Sequence, residues 1–136
     1  LRFVSNQVSN RFKQSLAAHD VSVTEWVVLR VLYKRKDTTH AELIDALGMT
    51  KGAASKIVSR LEGKGLAVRG LAQDRAREQV LRLTQAGYRL VPKLASLADE
   101  NDAYFFGHLS KIQRQDLTTL MKDLVSHHQF KQIPTE

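Results

Sequence analysis

At 136 residues, 43% hydrophobic and 26% charged, the chain has the make-up of one globular unit with room for a single core. Its formal net charge of +7 suits a polyanionic partner, and the absence of cysteine excludes disulfides, thiolate metal sites and a cysteine redox switch. No apolar run approaches the roughly 20 residues of a membrane span, and no basic-then-apolar signal segment opens the sequence, so a cytoplasmic protein is expected.

From Leu1 to Ala18, Phe3, Val4, Val8, Phe12 and Leu16 recur at helical spacing among Asn, Gln, Lys and Arg, which predicts an amphipathic helix. Its apolar stripe packs either on its own core or on a second subunit, and a subunit interface is the preferred expectation. His19-Asp20-Val21-Ser22 breaks the pattern. Thr24 is then the predicted cap of a second helix that runs to about Lys34, apolar on most sides through Trp26, Val27, Leu29, Val31, Leu32 and Tyr33. Arg30 is its interior charge, either an anchor for a ligand carboxylate or, more simply, a partner of Glu25 or Asp20.

Thr39-His40-Ala41-Glu42 fits a capping box, so a third helix is predicted from near His40, with Leu43, Ile44 and Leu47 as its apolar stripe and Gly48 as its stop. After the turn Gly48-Met49-Thr50, Thr50 caps a fourth helix in which Ala54, Ile57, Val58 and Leu61 form one buried face. The other face is Lys51, Gly52, Ser55, Lys56, Ser59 and Arg60, with no acid before Glu62. A helix that enters a major groove needs small residues for close approach and Lys, Arg, Ser or Thr for phosphates and base edges; the plainer alternative is a basic solvated face. Gly63-Lys64-Gly65 ends this helix.

Leu66 and Val68, then Val80, Leu81 and Leu83, predict two short strands around a segment holding Asp74, Arg75, Arg77 and Glu78. That pattern is a hairpin with arginines at its tip, placed either to enter a minor groove or to pair with Asp74 and Glu78 on the surface. Thr84 caps a long helix through Tyr104, Phe105 and Phe106, with Pro92 inside it and a kink expected there. Ser110-Lys111-Ile112-Gln113 is a second capping box opening a last helix, striped by Leu117, Leu120, Met121, Leu124, Val125 and His128, and Gln129 to Glu136 is expected to fray.

The charge is unevenly placed. From Thr50 to Lys93 ten Lys or Arg face three acids, while the remaining residues carry eleven of each sign, so the whole imbalance lies in the fourth helix, the hairpin and the start of the next helix. No nucleophile with its base, spaced ligand set or phosphate loop is present, so neither an enzyme nor a cofactor is expected. His127 and His128 are neighbours on a helix, about 100° apart and poorly placed to share a metal.

The stretch from Leu43 through Leu83, with Gly-Met-Thr at 48–50, Val-Ser-Arg-Leu-Glu-Gly-Lys-Gly-Leu at 58–66, Asp-Arg-Ala-Arg at 74–77 and Leu-Thr-Gln-Ala-Gly at 83–87, resembles the MarR family of bacterial transcriptional regulators. The resemblance implies a mainly α fold over 1–136: a winged helix-turn-helix DNA-binding unit at 36–90 with a small β-hairpin wing, flanked by dimerisation helices at 1–20 and 95–130. It implies a homodimeric repressor on double-stranded DNA with a pseudo-palindromic operator, relieved by a small-molecule effector held near Trp26, Arg30 and Tyr33. Phe3, Val8 and Phe12 would meet Leu117, Leu120 and Leu124 in the dimer. The DNA-binding set is Thr50, Lys51, Gly52, Ser55, Lys56, Ser59, Arg60, Arg75 and Arg77, with Asp74 supporting the wing. Members that sense peroxide through cysteine cannot be the precedent, and zinc-sensing members are a distant one. Asp74 lies ten residues before Thr84 where the family's wing usually has nine, and Ala76 stands two residues after it, so Arg75 and Arg77 both remain candidates for the groove. The alternative function is a winged-helix protein-interaction module without a DNA site.

Overall fold

The computed structural model describes residues 1–72 and 78–130. Among them are six helices and one hairpin: α1 (Arg2–Ala17), α2 (Val23–Arg35), α3 (His40–Leu47), α4 (Lys51–Gly63), β1 (Ala67–Leu71), β2 (Gln79–Leu83), α5 (Gln85–Phe106) and α6 (Lys111–His128). β1 and β2 are antiparallel, in register from Ala67 opposite Leu83 to Leu71 opposite Gln79. The fold is a winged helix-turn-helix set between long helices, as the periodicities predict.

α2 is the central helix. Trp26, Val28, Leu29 and Leu32 are wholly buried, and around them lie Leu16 of α1, Leu43 of α3, Leu61 of α4 and Leu94 of α5. Its cap is Ser22 and not Thr24: the Ser22 hydroxyl accepts from the Glu25 amide (3.1 Å) and the Glu25 carboxylate accepts from the Ser22 amide (2.8 Å). Ser-x-x-Glu at 22–25 satisfies two otherwise orphaned donors at once, which a threonine already inside the first turn cannot do.

The α1 stripe divides. Leu16 is buried in the chain's own core and Phe12 sits edge-on to Trp26 at 6.5 Å, whereas Phe3 and Val4 are 77% and 51% exposed. The junction with α5 is polar. Asn101, almost fully buried, donates through Nδ2 to the Val8 carbonyl (3.1 Å), and its Oδ1 accepts from Arg11 (3.2 Å). The own-core alternative therefore applies to the C-terminal half of this helix.

Thr84 caps α5, accepting from the Gly87 amide (3.2 Å) and donating to the Gly65 carbonyl (2.6 Å). Gly87 permits the close approach of α5 to the start of the hairpin, since a Cβ there would lie 2.3 Å from the Leu66 carbonyl oxygen. α5 runs through Pro92 to Phe106, and Ser110 with Gln113 forms the predicted capping box of α6. α6 buries no residue against the rest of the described chain and ends at His128, with Gln129 in the left-handed conformation. Residues 131–136, within the stretch expected to fray, lie outside the described residues.

Candidate nucleic-acid interface

α3 and α4 make the helix-turn-helix. Gly48 takes φ 63°, ending α3, and the Thr50 hydroxyl then accepts from the Ala53 amide (3.1 Å) to start α4. Ala54, Ile57, Val58 and Leu61 all point into the core. That orientation turns Lys51, Gly52, Lys56, Ser59 and Arg60 to the exterior, with Ser55 half-buried at the edge and its hydroxyl 3.5 Å from His40 Nε2. The Thr50 hydroxyl is engaged in the cap.

The hairpin is anchored to the body in ways that periodicity does not reveal. Thr38, buried between α2 and α3, pairs with Leu81 as a one-residue bridge, its amide donating to the Leu81 carbonyl (3.0 Å) and its carbonyl accepting from the Leu81 amide (2.7 Å). Beside it the Arg82 guanidinium faces the Asp37 carboxylate, Nε 3.1 Å from Oδ1 and Nη2 donating to Oδ2 at 3.2 Å. Asp74, Arg75 and Arg77, and with them the question of an extra residue in the wing, lie outside the described residues.

Charge counting alone overstates the cations available to a partner. Arg69 pairs with Glu62 (3.2 Å), Arg82 with Asp37, and Lys64 lies 3.0 and 2.9 Å from the two carboxylate oxygens of Glu25. Burial by itself raises the Glu25 carboxyl. The hydrogen bonds from Lys64 and Ser22 and the Lys64 charge outweigh it, holding the group below its ordinary value. The expected pairing of Arg30 with Glu25 or Asp20 gives way to Lys64, which reaches both acids from the end of α4.

Arg30 instead sits with its guanidinium carbon 5.8 Å from the Trp26 ring centroid. Trp26, Arg30 and Tyr33, three residues expected near an effector, line one cavity of about 610 Å³ between α1, α2 and α5, together with Phe12, Lys34, Pro92 and Asp99. His127 and His128 are edge-to-face at 4.8 Å, with His128 stacked on Phe130 at 5.3 Å. Among the described residues no three His, Cys, Asp or Glu side chains gather as metal ligands, and no helix is long and apolar enough to cross a membrane.

Comparison with known proteins agrees with this architecture. A family model described as the MarR family matches residues 19–78. An uncharacterized HTH-type transcriptional regulator of Bacillus anthracis is 28% identical over 133 residues, covering 97% of this chain and 86% of the relative. The transcriptional regulator HosA of Escherichia coli O157:H7 is 23% identical over 126 residues, 93% of this chain and 92% of its own. Among solved structures, wild-type MarR from E. coli in its apo form superposes with a TM-score of 0.77 at 20% identity, covering 91% of this chain and 93% of that one. The MepR–DNA complex of S. aureus superposes at 0.78 with 23% identity and 93% coverage of each. Both of these relatives carry the name of transcriptional regulators. The helix-turn-helix, the wing strands and the flanking helices thus share the winged-helix fold of these solved structures, and residues 19–78 match the MarR family model.

Proposed function

We propose that this protein is a homodimeric, sequence-specific DNA-binding repressor acting in the cytoplasm on a pseudo-palindromic operator. The observation that carries the proposal is the outward face of α4, where Lys51, Gly52, Lys56, Ser59 and Arg60 are exposed together while the opposite face is buried. Small residues allow the helix into a major groove, the serines and Arg60 suit base edges, and the lysines suit phosphates. Solved relatives in complex with DNA support the same use of the fold. One of Arg75 and Arg77 is the proposed minor-groove contact, with Asp74 supporting the wing, on the strength of sequence alone. The cavity beside Trp26, Arg30 and Tyr33 is the proposed seat of a small-molecule effector that relieves repression, since its lining joins the Phe12, Trp26 and Tyr33 rings to the Arg30 and Lys34 cations.

The test is selection of duplexes from a randomised pool by the wild-type protein, followed by titration of the selected duplex and a scrambled one across a salt series. Lys56→Ala is expected to weaken both duplexes alike and reduce the salt slope by about 1, and Ser55→Ala to lower the ratio of selected to scrambled affinity at a cost of about 1–3 kcal/mol. An unchanged slope together with an unchanged ratio removes α4 as the reader.

A further inference from the structure

We infer that Arg82, held by Asp37, is a positioning residue for DNA reading by the wing and not itself a DNA contact. The inference rests on the DNA-binding function proposed above. By composition Arg82 is one more cation in the basic segment, but its geometry turns it inward. Its side chain lies across β1 at Gly70, where a Cβ would come 3.4 Å from Cζ and Nη2, ordinary van der Waals contact distance. Nη2 donates to the Leu71 carbonyl (3.3 Å) at the last paired residue of β1 as well as to Asp37 (3.2 Å), and Nε lies 3.1 Å from the other Asp37 oxygen. One guanidinium thus joins both strands of the hairpin to the segment that leads into α3. The neighbouring Thr38–Leu81 bridge adds two backbone hydrogen bonds between the same segments.

A two-stranded ribbon has little stiffness of its own, so its orientation relative to α4 is set by such ties. The ion pair is too exposed to matter much for stability, with side chains 38% and 37% accessible. Its consequence is geometric: the strands flanking residues 73–77 keep a fixed bearing on the helix-turn-helix only while the clamp holds.

The sign of one substitution separates this role from plain electrostatics. Asp37→Ala removes a negative charge near a polyanion, which by charge alone strengthens binding. A positioning role predicts the opposite, a loss on the order of tenfold on the duplex selected by the wild type, matched by Arg82→Ala. The swap Asp37→Arg with Arg82→Asp, neutral overall, is expected to recover part of that affinity. Melting temperatures of the single variants are expected to stay within about 4 °C of the wild type. Hydrogen exchange without DNA supplies a readout independent of the operator, with faster exchange expected at the Ala72 and Leu81 amides in both single variants. Binding by Asp37→Ala that equals or exceeds the wild type overturns the clamp while leaving the proposed function intact. A wild-type protein that selects no duplex overturns both.

Discussion

Glu25 is a buried carboxylate that closes the α2 cap and holds Lys64 at the far end of α4, so one side chain fixes two elements of the DNA-binding unit. Its pKa is lowered on folding, which sets the sign of its linkage. The stabilisation is fully present above the ordinary carboxylate pKa and is lost as pH falls through the lowered, folded-state value. Glu25→Gln is expected to lose about 1–3 kcal/mol at neutral pH, because Lys64 loses the nearer of its two carboxylate partners and the cap is weakened. Urea titrations at fixed protein concentration check this: the gap between wild type and Glu25→Gln should narrow as the pH is taken down through the acid range, and a gap independent of pH refutes the assignment. Two glycines separate folding from function at the same scale. Gly87→Ala drives a methyl into the Leu66 carbonyl, at a cost of about 2–3 kcal/mol. A Cβ at Gly52 meets nothing within 4 Å, so Gly52→Ala is expected to stabilise α4 by about 0.5–1 kcal/mol while weakening DNA binding severalfold by crowding the groove-facing surface. Chemical denaturation and duplex titration of the same two proteins test both halves; a Gly52→Ala variant that binds as well as the wild type places that face away from DNA.

Among the elements, what could be read in advance was what local periodicity encodes. The i, i+3, i+4, i+7 pattern of Ala54, Ile57, Val58 and Leu61 names the buried face of α4 because each repeat answers to one neighbouring surface, and Gly48 and Thr50 mark a turn through their own backbone and hydroxyl chemistry. The Ser22–Glu25 box is equally legible in the sequence, but Thr24 stands closer to the apolar run and competes with it for the cap. The hidden features depend on residues distant in sequence. Thr38 has no periodic signature, because a single-residue bridge to Leu81 needs only a backbone brought there by the fold. Lys64, Arg69 and Arg82 look like the other cations of the basic segment until the structure sets each beside an acid. The α1 stripe looks continuous because periodicity reports that a face is apolar and not which surface covers it. Its Leu16 end is buried in the common core while Phe3 at its other end is 77% exposed.

At the scale of the whole molecule, α6 buries no residue against the described part of the chain. It is 18 residues long, yet an isolated helix of that length is marginal in water without a packed face. Leu120 and Leu124 are 62% and 45% exposed on it, and Leu1, Phe3 and Val4 are exposed at the other end of the chain. In the proposed dimer, a second copy related by a two-fold axis would cover both sets and would present two copies of α4 to successive major grooves about 34 Å apart, as a pseudo-palindromic operator requires. The wild type is therefore expected to sediment as a dimer at micromolar concentration, with a melting temperature that rises with concentration. Leu120→Glu combined with Leu124→Glu places charge in that contact without touching the buried core, so it is expected to give a monomer whose helical signal falls by part of the α6 contribution. The selected duplex should lose affinity by far more than a change of two surface charges explains, because a monomer engages one half-site. A wild-type protein that stays monomeric across the concentration series, or a double variant that remains dimeric, shows that α6 is covered by something other than a second copy.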